Sequence, residues 1–212
     1  MRPTTVVFDL GGVLIDWDPR YAYRQMGGTE AEIEHFLEHV ATSGWNHQFD
    51  AGKPFAEGIA ERKERFPDHA EWIEAWWSRW PDMLGGAIDG TVQILRELRD
   101  AGTPLYALTN WSAETFPIAR ERFDFLDWFD GIVVSGEVEK AKPDADIFAH
   151  LSDDFGIVPA EAVFIDDSAP NVATARRLGF HGIDFTTPAA LRADLARLGL
   201  PVDPRGDDAE AA

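Results

Sequence analysis

Asp9 ends a short apolar run, Val6-Val7-Phe8, and the pair Gly11-Gly12 stands just beyond it. Three more apolar runs end in a similar way. Pro104 to Thr109 leads into Asn110, and Ala162 to Ile165 leads into Asp166-Asp167. Ile132-Val133-Val134 is followed by a loop holding Lys140 and Lys142-Pro143. Short apolar runs bounded by turn residues read as buried strands. In an open parallel sheet, ligands sit at the carboxyl ends of the strands. Three carboxylates, one hydroxyl and one or two ammonium groups would then meet at one edge. Carboxylates that close repel one another unless a cation lies among them. Mg²⁺ suits such a place, because it takes one or two carboxylates together with waters and phosphate oxygens. A lysine and a threonine hydroxyl would hold the remaining phosphate oxygens. This set of groups points to phosphoryl transfer with a carboxylate nucleophile.

These groups converge only if the segments between them are helices that return the chain to the same edge. The pattern predicts that. Val92, Leu95, Leu98 and Arg99 precede Gly102 with helical spacing. Ala113 to Arg122 reads as a helix with Ser112 as its N-cap. Asp144 to Phe155 reads as a helix stopped by Gly156, and Pro170 to Leu178 as one with Pro near its start and Gly179 beyond its end. Gly182 to Phe185 is a last strand and Ala189 to Leu198 a last helix. Strands alternating with helices imply βαβ units, hence a three-layer α/β/α, Rossmann-like parallel sheet.

Residues 19–87 break the alternation. Thr29-Glu30-Ala31-Glu32 is a capping box, and Ile33, Phe36, Leu37 and Val40 follow it at helical spacing. Phe55, Ile59 and Phe66 suggest a second helix, and Trp72, Ile73, Trp76, Trp77 and Trp80 a third. The expected organisation is a core of residues 1–18 and 88–202, an inserted all-helical cap of residues 19–87, and a disordered acidic tail of residues 203–212.

The whole-chain balance narrows the partners. The 212 residues carry 38 acidic and 19 basic side chains, a net charge of −19. That field repels nucleic-acid phosphates and anionic membranes, while leaving room for a small anion in a locally positive pocket. No cysteine is present, which removes disulfides, thiol nucleophiles and zinc–thiolate sites. No apolar run nears the roughly 18 residues of a membrane span. The start, MRPTTVVFDLGG, lacks a signal-peptide pattern, so a cytoplasmic protein is expected. Oligomeric state is not legible.

FDLGGVLID, LTNWS, KPDADIF and FIDDSAPNVATARRLGF resemble, in order, the four motifs of the haloacid dehalogenase-like hydrolase superfamily. The likeness covers nearly the whole chain, and the helical insert is placed like that family's first-type cap. The resemblance implies Asp9 as nucleophile and Thr109 as the phosphoryl-binding hydroxyl. It implies Lys142 as the lysine that orients the nucleophile and neutralises charge. Asp166 and Asp167 match the acidic pair that binds Mg²⁺, with Gly11 adding its backbone carbonyl. The expected activity is a Mg²⁺-dependent phosphatase of small phosphorylated metabolites, sugar phosphates among them. One departure stands out: most phosphatases of the family carry a second Asp two residues after the nucleophile, as general acid, and this chain has Gly11. Some sugar-phosphatase-like members share that Gly. L-2-haloacid dehalogenases, whose halide needs no proton, also lack that Asp, and they are the rival reading. A binding or regulatory protein that kept the fold and lost its acid is another.

Further residues have a bland and a sharper reading. Asp167 either binds the metal or caps the helix at Pro170. Asp16 and Asp18 are hinge residues or substitute acids. His35 and His39 are spaced for a metal, but no third ligand is evident, so they read as a solvated face. Trp72 to Trp80 read as the cap's own core. Trp45, His47, Gln48 and Asp50 fall in a stretch that reads as irregular, beside Gly44 and Gly52, where a cap could reach the substrate. Asn110 and Trp111 follow Thr109 into the same pocket.

Overall fold

The computed structural model describes residues 2–204. The chain opens with β1 (Thr5–Phe8) and β2 (Ile15–Trp17). Five helices follow: α1 (Arg20–Gln25), α2 (Glu30–His39), α3 (Ser43–Asp50), α4 (Phe55–Arg65) and α5 (Ala70–Ser78). The chain then runs through β3 (Leu84–Ala87), α6 (Asp89–Asp100), β4 (Leu105–Thr109), α7 (Phe116–Arg122), β5 (Gly131–Val134), α8 (Ser135–Val138) and α9 (Ala145–Phe155). It ends with β6 (Ala162–Asp166), α10 (Ala169–Arg177), β7 (His181–Asp184) and α11 (Pro188–Leu198).

Five strands pair in parallel in the order β5-β4-β1-β6-β7, so β1 lies at the centre between β4 and β6. Side chains alternate across a strand, and both faces of this sheet are apolar. Val6, Phe8 and Ile165 pack with Ile94 and Leu98 of α6 and Leu191 and Leu195 of α11. Val7, Leu108 and Phe164 pack on the other face with Phe148 and Leu151 of α9 and Ala175 of α10. The result is the three-layer α/β/α arrangement that the alternation predicts. No helix among the described residues is long and apolar enough to cross a membrane.

The helix after β4 starts later than expected, at Phe116 rather than Ala113, and Ser112 does not cap it. Pro117 has no N–H to give a carbonyl one turn back, so it fits the first turn of a helix and not its interior. Ser112 Oγ instead accepts the Glu114 N–H at 3.2 Å, closing a local turn. At the chain's end, the Asp203 N–H donates to Glu97 at 3.1 Å and its carbonyl accepts from Arg192 at 2.7 Å. Residues 205–212 of the expected tail lie outside the described residues.

Helices α1 to α5 lie between β2 and β3, which pair antiparallel as a two-stranded ribbon. Thr29 and Glu32 form the expected capping box at the start of α2. Tyr23, Phe36, Trp72 and Trp76 make one aromatic cluster, with Tyr23 and Trp72 stacked at 5.0 Å. Each such ring removed from water contributes on the order of 2–3 kcal/mol. Trp80 is buried but sits in a turn beyond α5, and Phe66 lies just past the end of α4.

Residues 43–50 correct the expectation of an irregular stretch: they form α3. Thr42 caps it, its Oγ1 accepting the Trp45 N–H at 3.2 Å. Trp45 and Phe49, four residues apart, share its buried face, and Phe49 stacks on Phe55 at 4.2 Å. Gly58 of α4 makes room, since a Cβ there would stand 2.3 Å from the Phe49 ring.

Candidate active site

The carboxyl ends of β1, β4 and β6 face one cavity of about 260 Å³. Asp9 follows β1, with its N–H bonded to the Ile165 carbonyl of β6 at 2.8 Å. Its Oδ1 accepts the Leu10 N–H at 2.7 Å, which leaves Oδ2 to Lys142. The turn beyond Asp9 depends on Gly12, whose φ is +72° and whose Cβ would lie 2.3 Å from Asp167 Oδ2. Only glycine takes that conformation at so close an approach. Gly11 differs. Its φ is not positive, and a Cβ on it would meet nothing within 4 Å.

Lys142 is buried, and its Nζ lies 2.9 Å from Asp9 Oδ2 and 2.7 Å from Asp166 Oδ2. Lys140 is exposed, which separates the two lysines of that loop. Asp166 is fully buried and further held by the Ser168 N–H at 2.8 Å and by Asn171 Nδ2 at 3.0 Å. Asp167 does not cap α10: Ser168 stands at the cap position, and Asp167 lines the cavity. Asp9, Asp166 and Asp167 each bring one carboxylate oxygen within 4.8 Å of the others.

The charges in this cluster are unbalanced. Burial pushes Asp9 up to about 8; Lys142 pulls it down, while Asp166 and Asp167 push it further up. Burial opposes the charge on Lys142, but Asp9 and Asp166 outweigh it and raise its pKa. Burial, with Asp166 close by, also raises Asp167. One ammonium thus faces three carboxylates in a poorly solvated place. A further cation would settle the balance, and oxygen donors alone suit a hard one such as Mg²⁺.

Thr109 is buried at the end of β4, one strand from Asp9, but it does not line the cavity. Asn110, Trp111, Ser112 and Thr115 do. Asn110 is bound to the backbone of Lys142, accepting its N–H and donating to its carbonyl, both at 2.8 Å. The helical insert supplies the rest of the wall: Trp17, Asn46, Asp50, Phe55 and Trp80.

Two expected substrate contacts, Trp45 and His47, do not line this cavity. Trp45 is buried among the inserted helices, donating to the Gly58 carbonyl at 3.3 Å and packed on Phe49 and Trp76. His47 is exposed and lines an adjoining groove that shares Asn46, Asp50, Asn110 and Asp167 with the cavity. The reason is helical geometry: on α3, Trp45 and Phe49 face the aromatic core of the inserted helices, which turns His47 outward and Asp50 toward the cavity. His35 and His39 stack on each other at 4.4 Å on the exposed surface. Asn171, Phe55 and Trp17 were not marked by the sequence. For Asn171 the available signal was a polar side chain in the first turn after Asp166-Asp167.

A family model described as haloacid dehalogenase-like hydrolase matches residues 3–179. A sesquiterpene phosphatase of Aspergillus oryzae is 28% identical over 193 residues, covering 91% of this chain and 94% of that one. Among solved structures, a HAD-like family hydrolase from Porphyromonas gingivalis is 26% identical with a TM-score of 0.71, covering 93% of this chain and 98% of that one. A HAD family enzyme of Bacteroides thetaiotaomicron, in complex with magnesium and inorganic phosphate, is 25% identical with a TM-score of 0.66, covering 87% and 95%. Since the match spans four of the five strands of the sheet, the inserted helices and the three strand ends at the cavity, the chain belongs to the haloacid dehalogenase-like hydrolase family.

Proposed function

We propose that the chain is a Mg²⁺-dependent phosphatase of small phosphorylated metabolites, with Asp9 as nucleophile. The observation that carries this reading is the buried Lys142 ammonium held between Asp9 and Asp166, at 2.9 and 2.7 Å, in a cluster of three carboxylates. Asp9, Asp166, Asp167 and the Gly11 carbonyl would hold the ion. When bound, it neutralises carboxylate and phosphoryl charge at the reacting centre.

The chain's own residues account for the rest. Asp9 Oδ attacks phosphorus, forming a carboxylate–phosphoryl bond as the bond to the leaving oxygen breaks. Lys142 keeps the Asp9 carboxylate oriented and offsets the charge on the phosphoryl oxygens. The family resemblance assigns one of those oxygens to Thr109, buried at the end of β4. Water then attacks phosphorus and frees Asp9. The segment 19–87 acts as a cap over the core of residues 1–18 and 88–202, excluding bulk water and presenting the substrate-selecting wall.

Trp17, Phe55, Trp80 and Trp111 on that wall suit a small organic group, whether an alkyl chain or the apolar face of a sugar. The phosphatase named above supports phosphate esters over 2-haloacids as substrates. The Gly at position 11 supports a likeness to the sugar-phosphatase-like members that lack the second Asp. The absence of cysteine and the strong negative charge suit a cytoplasmic enzyme that avoids nucleic acid and membrane.

The test is phosphate release from 4-nitrophenyl phosphate with Mg²⁺ and with EDTA, beside halide release from 2-chloropropionate. Metal-dependent phosphate release is expected. Halide release without phosphate release would make Asp9 a nucleophile toward carbon instead.

A further inference from the structure

Gly11 leaves the reaction without a proton donor at the position that most phosphatases of this fold use, as set out above. A poor leaving group must gain a proton as its bond to phosphorus breaks. The cavity contains a carboxyl group that can give one. We propose that Asp50, carried into the site on α3, is the general acid of this enzyme. The inference rests on the phosphatase reading.

Four observations support it. First, the titratable groups lining the cavity among the described residues are Asp9, Asp167 and Asp50. Asp9 and Asp167 belong to the carboxylate cluster; Asp50 does not. Second, Asp50 is held in place. Asn46, one turn earlier on α3, donates to Asp50 Oδ2 at 3.0 Å, and its side-chain Oδ1 accepts from the Trp76 indole at 3.3 Å. The Asp50 carbonyl accepts from Ser135 Oγ, tying this end of α3 to the core domain. Third, no other group among the described residues bonds to the Asp50 carboxyl, so Oδ1 is free to face a ligand. Fourth, Asp50 belongs to the electrostatic neighbourhood of the reacting carboxylate. Burial pushes it up to about 7, and the charge that opposes this is Lys142, the residue paired with Asp9. A carboxyl group near 7 holds a proton and can also release it at neutral pH.

The other candidates are engaged elsewhere. Asp16 accepts the Tyr21 hydroxyl at 2.7 Å, and Asp18 is paired with Arg20 at 3.1 Å. His47 is exposed and lines the adjoining groove rather than this cavity.

The proton balance closes over two steps. In the first, the bond from Asp9 Oδ to phosphorus forms, the ester P–O bond breaks, and the Asp50 proton passes to the leaving oxygen, releasing the alcohol. In the second, water attacks phosphorus, the Asp50 carboxylate takes a proton from it, and the bond to Asp9 breaks. Asp50 ends as it began, and inorganic phosphate leaves.

The experiment uses a graded ester series, from 4-nitrophenyl through phenyl and benzyl to n-butyl phosphate, with the full chain and Mg²⁺. In the parent, turnover should fall only shallowly as the leaving oxygen becomes more basic. Asp50→Asn should lower the n-butyl to 4-nitrophenyl rate ratio by about 10²-fold or more. Adding Gly11→Asp to that variant should restore n-butyl turnover by at least about tenfold, because the space at Gly11 is open. Gly11→Asp alone, whatever its effect on the overall rate, should not raise the n-butyl to 4-nitrophenyl rate ratio, since an acid is already present. An unchanged ratio in Asp50→Asn overturns the assignment. So does a steep decline in the parent that Gly11→Asp alone relieves, and this arm holds even if Asp50→Asn fails to fold. A parent that releases phosphate from none of the esters refutes the phosphatase reading itself.

Discussion

Asn110 grips the backbone of Lys142 on both sides, accepting its N–H and donating to its carbonyl, each at 2.8 Å. The two residues are 32 positions apart and follow different strands. The ammonium at the far end of Lys142 is therefore positioned from the loop after β4, not only by its own loop. Asn110→Ala should lower turnover by about 10²-fold, the order expected for a misplaced reacting group. It should cost about 1–3 kcal/mol of stability, as two backbone groups lose their partner. Single-turnover rates and denaturant titration check both values. Wild-type turnover in Asn110→Ala would show that the loop of Lys142 positions itself.

Asp9→Asn should reduce phosphate release by at least about 10³-fold while the protein stays folded. The amide matches the carboxylate in size but is a poor nucleophile and a weak metal ligand. A variant with activity within about tenfold of the parent would remove Asp9 from the chemistry.

The adjacent glycines should respond in opposite ways. Gly11→Ala places its Cβ in open space at an ordinary φ, so stability should change by less than about 0.5–1 kcal/mol. Gly12→Ala forces a left-handed residue, which costs about 1–2 kcal/mol, and drives its Cβ into Asp167. Its melting temperature should drop and its Mg²⁺ requirement should rise. Equal melting temperatures would mean that the turn can reorganise around a side chain at position 12.

Stability should also report the raised pKa of Asp50. In the unfolded chain this carboxyl loses its proton near pH 4; in the folded protein it does so near 7. Between those values the native state holds a proton that the unfolded state has released. Unfolding free energy from this group is therefore greatest below about pH 4 and declines as pH rises toward 7. Asp50→Asn should flatten that decline, and the difference between parent and variant removes the contribution of Asp9. Urea titrations at intervals from pH 4 to 8 measure it. Parallel slopes in the two proteins would show that Asp50 ionises normally in the fold.

Much of the architecture was legible in the residues alone. Apolar runs of strand length, each closed by a polar residue, marked β1, β4, β5 and β6, and helical spacing marked the elements between them. Both signals are local, because the periods of 2 and 3.6 are properties of the backbone. Asp9, Thr109 and the Asp166-Asp167 pair accordingly fall at strand ends, and Lys142 in the loop beyond β5. What escaped was set by partners distant in the chain. The stretch Ser43–Asp50 carries only two large apolar residues, too few for a periodic signal, and became a helix because Trp45 and Phe49 found a surface on α4 opened by Gly58. That docking sent Trp45 inward and His47 outward, and brought Asp50 to the cavity. The grip of Asn110 on Lys142 is of the same kind. Local periodicity says which side chains share a face; only the packing of one element on another decides what that face meets.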